Sequence, residues 1–252
     1  MSDFKDHFST QSKGYGKFRP SYPEALYHYL ADLCQGHERA WDCATGTGQA
    51  ARGLSGFFDH VVATDGSAEQ ISQAAGPDNV SFRTAFAAQS GLEPESIDLI
   101  TVAQALHWFD LEAFYQEVRR VLKPGGILAV WCYNLLKIDE EIDLIITRFD
   151  QDIVGEYWPP ERQLVRNDYA TMAFPFEEIG EADSGPKFNM ASMWALDDLI
   201  GYLATWSSVA AYKAALGHDP LHQITEELTA AWGAPRDKKR VIWPLSYRIG
   251  RR

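Results

Sequence analysis

The sequence predicts an open α/β sheet, mostly parallel and covered by helices on both faces. Three observations carry that reading. Short apolar runs alternate with amphipathic runs from residue 40 to about residue 131, the pattern of repeated strand–helix units. The runs are short and mostly apolar, as strands buried on both faces require. Glycines stand at the turn between the first run and the helix that follows it.

After a polar arm, Pro23 occupies a first helical turn, and Leu26, Tyr29, Leu30 and Leu33 follow at helical spacing as far as Gly36. Ala40 to Ala44 reads as a strand, Gly46-Thr47-Gly48 as a turn and Gln49 to Phe58 as a helix. Val61 to Thr64 is a second strand ending at Asp65, followed by a helix from Ser67 to Ala75 and a third strand from Val80 to Arg83. A loop with Gly91 and Pro94 leads to a fourth strand, Ile97 to Val102. Leu111 to Leu122 is an amphipathic helix with Phe114, Val118, Val121 and Leu122 on one face. Lys123-Pro124-Gly125-Gly126 stops it before a fifth strand, Ile127 to Trp131.

The alternation fails after Asn134. Asp139 to Val154 has helical spacing, and the aromatic stretch from Trp158 to Phe176 reads as an insertion over the carboxyl edge of the sheet. Leu196 to Trp206 is a further helix, and Val241-Ile242-Trp243 with Leu245, Tyr247 and Ile249 closes the chain as a strand. The expected organisation is therefore one domain: an arm and helix (1–36), a cofactor-binding core (37–134), a helical lid (135–175) and the C-terminal part of the sheet (176–252).

Composition narrows the function. The 252 residues are 46% hydrophobic and 23% charged, ordinary for a globular chain. The net charge of −12 disfavours a nucleic-acid partner, because phosphate backbones are repelled. No apolar run approaches membrane-spanning length, and the polar N-terminal stretch lacks a signal-peptide core, so no membrane partner and a cytoplasmic location are expected. Cys34, Cys43 and Cys132 stand singly in apolar runs, as reduced core residues do, and no metal is expected. The expected assembly is a monomer or a homodimer.

The strongest chemical signal is Asp42-Cys-Ala44-Thr45-Gly46-Thr-Gly48, followed by Asp65 at the end of the second strand. Glycines between strand and helix admit a close ligand, and an acid at the second strand's end accepts hydrogen bonds from a ribose diol. Gly46-x-Gly48-x-x-Ala51 also fits a relaxed dinucleotide fingerprint, which keeps a nicotinamide-dependent oxidoreductase open as an alternative. Asp42 argues against it. A buried acid in that strand needs a partner, and a cofactor bearing an amino-acid ammonium supplies one.

The order Asp42-x-Ala44-x-Gly46-x-Gly48, Asp65, Ser96 to Phe109 with Asp98, Gln104, His107 and Trp108, then Val121-Leu-Lys-Pro-Gly-Gly126, resembles the class I S-adenosylmethionine-dependent methyltransferases. It is most similar to the small-molecule branch that includes trans-aconitate methyltransferase. The resemblance extends to Phe18-Arg19-Pro20-Ser-Tyr22-Pro23 and to Trp243 through Gly250. It implies a Rossmann-like sheet of seven strands in the order 3-2-1-4-5-7-6, with the last strand antiparallel, and S-adenosyl-L-methionine as cofactor. It places Ala44, Thr45, Gly46 and Gly48 along the methionine and ribose, and Asp65 on the ribose hydroxyls. Gly66 and Ser67 then lie beside the adenine, Phe86 and Ala87 at its rim, and Gln104 at the methionine. Tyr15 of the arm is counted with these contacts. Ala44 replaces the usual first glycine, which is harmless at negative φ. Phe86 stands where an acid often binds the adenine amine. These departures keep a catalytically silent methyltransferase-like binding protein among the alternatives.

On the substrate side, methyl transfer asks mainly for orientation and exclusion of water. A carboxylate acceptor needs only a cationic anchor, whereas an amine or phenol needs a base. Arg19 is the candidate anchor, or else a surface tie for the arm. His107 is the candidate base, or else a loop-packing residue, and Trp108 lines the pocket. Trp131, Tyr133, Trp158, Trp194 and Trp206 form either an aromatic lid or plain core. The expected activity is methylation of a small molecule, with O-methylation of a carboxylate as the finer reading.

Overall fold

The computed structural model describes residues 20–181 and 184–252. Five parallel strands form its centre: β1 (Arg39–Cys43), β2 (His60–Asp65), β3 (Val80–Thr84), β4 (Ile97–Ala103) and β5 (Leu122–Tyr133). Three more follow, β6 (Glu177–Glu181), β7 (Asn189–Trp194) and β8 (Lys239–Arg251), giving an eight-stranded sheet in the order β3-β2-β1-β4-β5-β8-β6 with β7 paired to β8. The last strand runs antiparallel between β5 and β6, as the expected order requires.

The eighth strand corrects the expected count of seven. It exists because β8 is 13 residues long. Its first half, Lys239 to Pro244, pairs with β7, and Leu245 to Arg251 pairs with β5. Val241, Trp243, Leu245, Tyr247 and Ile249 are all buried, the alternation of a strand with one face on the core.

Helices cover both faces. On one lie α1 (Glu24–Asp32), α2 (Gln49–Leu54) and α5 (Glu140–Arg148), with α7 (Leu196–Ala204), α8 (Ser207–Leu216) and α9 (Thr225–Trp232). On the other lies α4 (Leu111–Val121), with Val165 of the short α6 (Arg162–Arg166) and Tyr169. The small α3 (Ala68–Gln73) buries no residue of its own. Strand residues alternate between the layers: Ala129 and Trp131 pack with the first, Leu128, Val130 and Cys132 with the second.

Several expected bounds shift for local reasons. The helix after β1 ends at Leu54, before Gly56. The fifth strand begins at Leu122, because Leu122 pairs with Ile97 of β4, and Gly125 and Gly126 then exchange backbone hydrogen bonds with Arg252. The helix expected to reach Val154 becomes a wider π turn over Phe149–Ile153. Helices α8 and α9 were not legible, since alanine-rich Ser207–Leu216 has no clear apolar stripe. Cys43 and Cys132 are buried free thiols, and Cys34 is partly exposed. Among the described residues no helix is long and apolar enough to cross a membrane.

Candidate active site

From β1 the chain steps to β2 and β3 on one side and later to β4 on the other. The carboxyl ends of β1 and β4 therefore flank the point where strand order reverses, which is where open α/β sheets bind ligands. The segment 44–48 leaves β1 at that point, Asp65 ends β2, Phe86 and Ala87 follow β3, and Gln104, His107 and Trp108 follow β4.

The turn after β1 is built around Asp42, which is 1% exposed. Its Oδ2 accepts from the Thr45 hydroxyl at 2.5 Å and the Ala51 N–H at 3.0 Å, and its Oδ1 accepts from the Thr101 hydroxyl at 2.8 Å. Burial nevertheless pushes its carboxyl up to about 6 against the lowering effect of these bonds. Asp42 thus finds its partners within the protein and needs no cofactor ammonium to be satisfied, which corrects the expected reason for it. Thr45 is equally committed inward, so any contact from Thr45 to a ligand falls to its backbone.

Ala44 departs from expectation as well. Its φ is +55°, a left-handed conformation and not the negative one foreseen. The turn is held by the Thr45 N–H bonded to the Thr64 carbonyl at 2.9 Å. The two glycines differ in kind. A Cβ on Gly48, at φ +88°, would stand 2.6 Å from the Phe82 ring. A Cβ on Gly46, at φ +57°, would meet nothing closer than Gln70 Oε1 at 3.9 Å. Open space over Gly46 is the cradle a ligand needs.

Asp65 stands at the end of the second strand, as its position in the sequence predicts. It is half-buried at the last position of β2, with Oδ2 accepting from the Gly46 N–H at 2.9 Å and Oδ1 from the Ser67 N–H at 2.8 Å. One carboxylate therefore braces the glycine turn and the start of α3, whose N-terminus the buried Ser67 also caps. Its place at the carboxyl end of β2 is where an acid meets a ribose diol in open α/β sheets. Gly66 lies in the bend between them. Phe86 is 53% exposed in the turn closed by the Gln89 N–H on the Phe86 carbonyl, beside the partly buried Ala87. An exposed ring at the rim suits stacking on a base. The donor and acceptor set thus fits a nucleoside-bearing cofactor.

Gln104 has φ +57° and a committed side chain. Its Nε2 donates to the Tyr133 carbonyl at 3.1 Å and its Oε1 accepts from the Tyr133 N–H at 2.9 Å, joining the ends of β4 and β5 as a backbone pair would. His107 Nδ1 lies 2.8 Å from the Tyr169 hydroxyl. Burial, aided by the Arg162 charge, pushes its pKa down to about 3, so the ring is neutral. Trp108 is partly buried with its ring 4.7 Å from that of His107. Tyr15 and Arg19 lie outside the described residues. At Pro20 the carbonyl accepts from Gln49 Nε2 at 3.1 Å, and Tyr22 packs edge-on against Trp131 at 5.4 Å.

The aromatic residues divide. Trp131, Tyr133, Trp194 and Trp206 are core, all below 9% exposed. Trp158, partly buried, lies 5.5 Å from Trp206 and 4.8 Å beneath the Arg162 guanidinium. Arg162 is the residue sequence reasoning missed; a lone arginine after Pro159-Pro160 carries no spacing signal.

A methyltransferase domain family matches residues 41–130, the span from β1 to β5 that carries these turns. The chain belongs to the class I S-adenosylmethionine-dependent methyltransferases, and S-adenosylmethionine is its cofactor. It is 35% identical over 243 residues to a methyltransferase-family protein of Dictyostelium discoideum, covering 95% of this chain and 91% of that one. It is 36% identical over 180 residues to an uncharacterized methyltransferase of Mycobacterium tuberculosis, covering 70% and 68% of the two chains. A solved structure from Anaeromyxobacter dehalogenans, described as a type II methyltransferase, superposes with a TM-score of 0.87 at 41% identity, covering 93% of this chain and 98% of that one.

Proposed function

We propose that this enzyme methylates a small molecule on a carboxylate oxygen. The observation that carries the reading is the state of His107. The side chain expected to serve as base is tied to Tyr169 and has its pKa pushed down to about 3. A base that weak removes little proton density from an amine or phenol. A carboxylate arrives already charged.

S-adenosylmethionine, when bound, supplies a methyl group activated on a sulfonium. The chain's own part is to hold and align. Gly46 leaves room, Asp65 at the end of β2 takes the ribose hydroxyls, and Phe86 with Ala87 borders the base. The backbone of residues 44–48 and of Gln104 lines the rest, and Gly66 and Ser67 lie beside the adenine. Residues 135–175 act as the lid that excludes water over the β4 and β5 ends. A carboxylate acceptor, already ionised, would ask no proton transfer of His107.

The test is calorimetry with S-adenosylhomocysteine and NAD, followed by an acceptor panel of organic acids, amines and phenols read by S-adenosylhomocysteine release. Turnover of acids with a flat rate between about pH 5 and 8 is expected. A steep rise across the ordinary histidine range near about 6.5, abolished in His107→Ala, overturns the carboxylate. Binding of S-adenosylhomocysteine with no turnover on any acceptor favours a silent binding protein.

A further inference from the structure

The lid contains more unsatisfied polarity than a structural segment needs. Asp150 Oδ1, Trp158 Nε1, Arg162 Nε and Arg166 Nε are buried with no hydrogen-bond partner among the described residues. Native interiors leave few such atoms, since a buried donor or acceptor without a partner forfeits its hydration. Three of these four are donors.

Their charges are unequal as well. Arg166 pairs with Asp150, Nη2 to Oδ2, at 2.7 Å. Arg162 forms no ion pair with any described residue. It makes one long hydrogen bond, from Nη2 to Asn134 Oδ1 at 3.4 Å, and lies 4.8 Å over the Trp158 ring. Two guanidinium groups thus share one carboxylate, leaving a positive charge over. Burial disfavours the charged form of Arg162, while Asp150 partly compensates it from a distance. Asn134 is the first residue after β5, and the Arg162 charge reaches His107 after β4. Arg162 therefore stands over the same strand ends as the proposed reaction centre. A guanidinium seated on an indole face keeps its planar edge free, the geometry that matches a carboxylate.

We propose that Arg162, seated on Trp158 and steadied by Asn134, is the anchor for the acceptor's carboxylate. This rests on the methyltransferase reading of the site and names the group that selects its substrate class. Asp150 and Arg166 form the neutral wall behind it. The orphaned Arg162 Nε–H is one donor, and the guest anion takes it together with a terminal N–H of the fork.

The test uses the full-length protein saturated with S-adenosylhomocysteine and titrated with succinate and benzoate, with succinamide and benzamide as neutral counterparts. The acids bind and the amides do not. Arg162→Gln weakens acid binding by about ten- to a hundredfold, the scale of lost hydrogen bonds to a charged group. Affinity for S-adenosylhomocysteine is unchanged. Arg162→Lys keeps the charge, loses the fork and falls between the two, and it serves alone if the glutamine variant melts early. Acid binding that is equal in wild type and both variants overturns the anchor. So does a loaded wild-type protein that binds none of the acids, or binds acids and amides alike. Failure of the wild type to bind S-adenosylhomocysteine instead removes the cofactor reading on which the anchor rests.

Discussion

At Gly46 and Gly48 the same residue type answers to different forces. Gly48 is required twice, by its left-handed φ and by the Phe82 ring 2.6 Å from any added Cβ. Gly46 is required by φ, and the proposed cofactor would fill the open space above it. Gly48→Ala should therefore lower stability by more than the roughly 1 kcal/mol of conformational strain, while Gly46→Ala should cost about that strain alone. Affinity for S-adenosylhomocysteine should fall in Gly46→Ala out of proportion to its stability. Melting curves and calorimetry on the pair decide it. Equal losses of both quantities in the two variants would mean that Gly46 faces no ligand.

Asp42 makes a different kind of prediction. Its carboxyl lies at about 6 in the fold against an ordinary 3.8. The folded state therefore holds the proton more tightly than the unfolded chain. The stability this brings is full below about pH 4 and is lost as pH rises through about 6, on the order of 2–3 kcal/mol in all. Asp42→Asn has no charge to bury, and its amide can serve the same Thr45, Ala51 and Thr101 groups. Its melting temperature should gain on the wild type between pH 4 and 7. Parallel curves for the two proteins would show that Asp42 does not titrate in that window.

Among the elements, α4 shows how a helix aims a site it does not enter. Its Phe114, Val118 and Val121 are fully buried against the sheet. Its Glu117 Oε1 accepts from the Ser90 N–H at 2.9 Å and from the Ser90 hydroxyl. Arg120, one turn on, holds the other oxygen at 2.7 Å and the Leu92 carbonyl with its Nη2 at 2.7 Å. The loop after Phe86 and Ala87 is thereby tied to the helix. Glu117→Ala should cost about 1–3 kcal/mol, the penalty of stranding buried donors, and should loosen the adenine rim. Denaturant midpoints give the first quantity. Amide exchange over residues 85–92 reads the second, and unchanged protection there would break the link between helix and rim.

For the molecule as a whole, ligand binding and stability are one measurement. A ligand that binds only the folded state adds about 2.7 kcal/mol at a hundredfold excess over its Kd. For a chain of 252 residues that corresponds to a rise of roughly 5–10 °C in Tm. S-adenosylhomocysteine should produce that shift. Asp65→Ala should reduce it, by about 1.5–3 kcal/mol of binding, and should also lower the unliganded Tm, because the Gly46 and Ser67 N–H groups lose their acceptor. A normal unliganded Tm with a full ligand-induced shift would place the ribose on other residues.

What the sequence by itself determined is the local order: β1 to β5 with their intervening helices, glycines in the turn after β1, and an acid at the end of β2. Those features rest on periodicity and on conformations that few residue types adopt, which are properties of short segments. The family resemblance added the placing of the last strand between β5 and β6. Tertiary structure decided the partners. Asp42 is satisfied by Ala51 and Thr101 as well as Thr45, and Gln104 is spent on Tyr133. His107 is neutral because burial, aided by the charge of Arg162, disfavours its protonated form, while Tyr169 holds its ring; both residues lie more than fifty positions away. Burial and hydrogen bonding depend on which distant segments the sheet brings together, and no spacing along the chain encodes that. Arg162, which forms no ion pair with any described residue, meets Trp158 and Asn134 only in the tertiary structure.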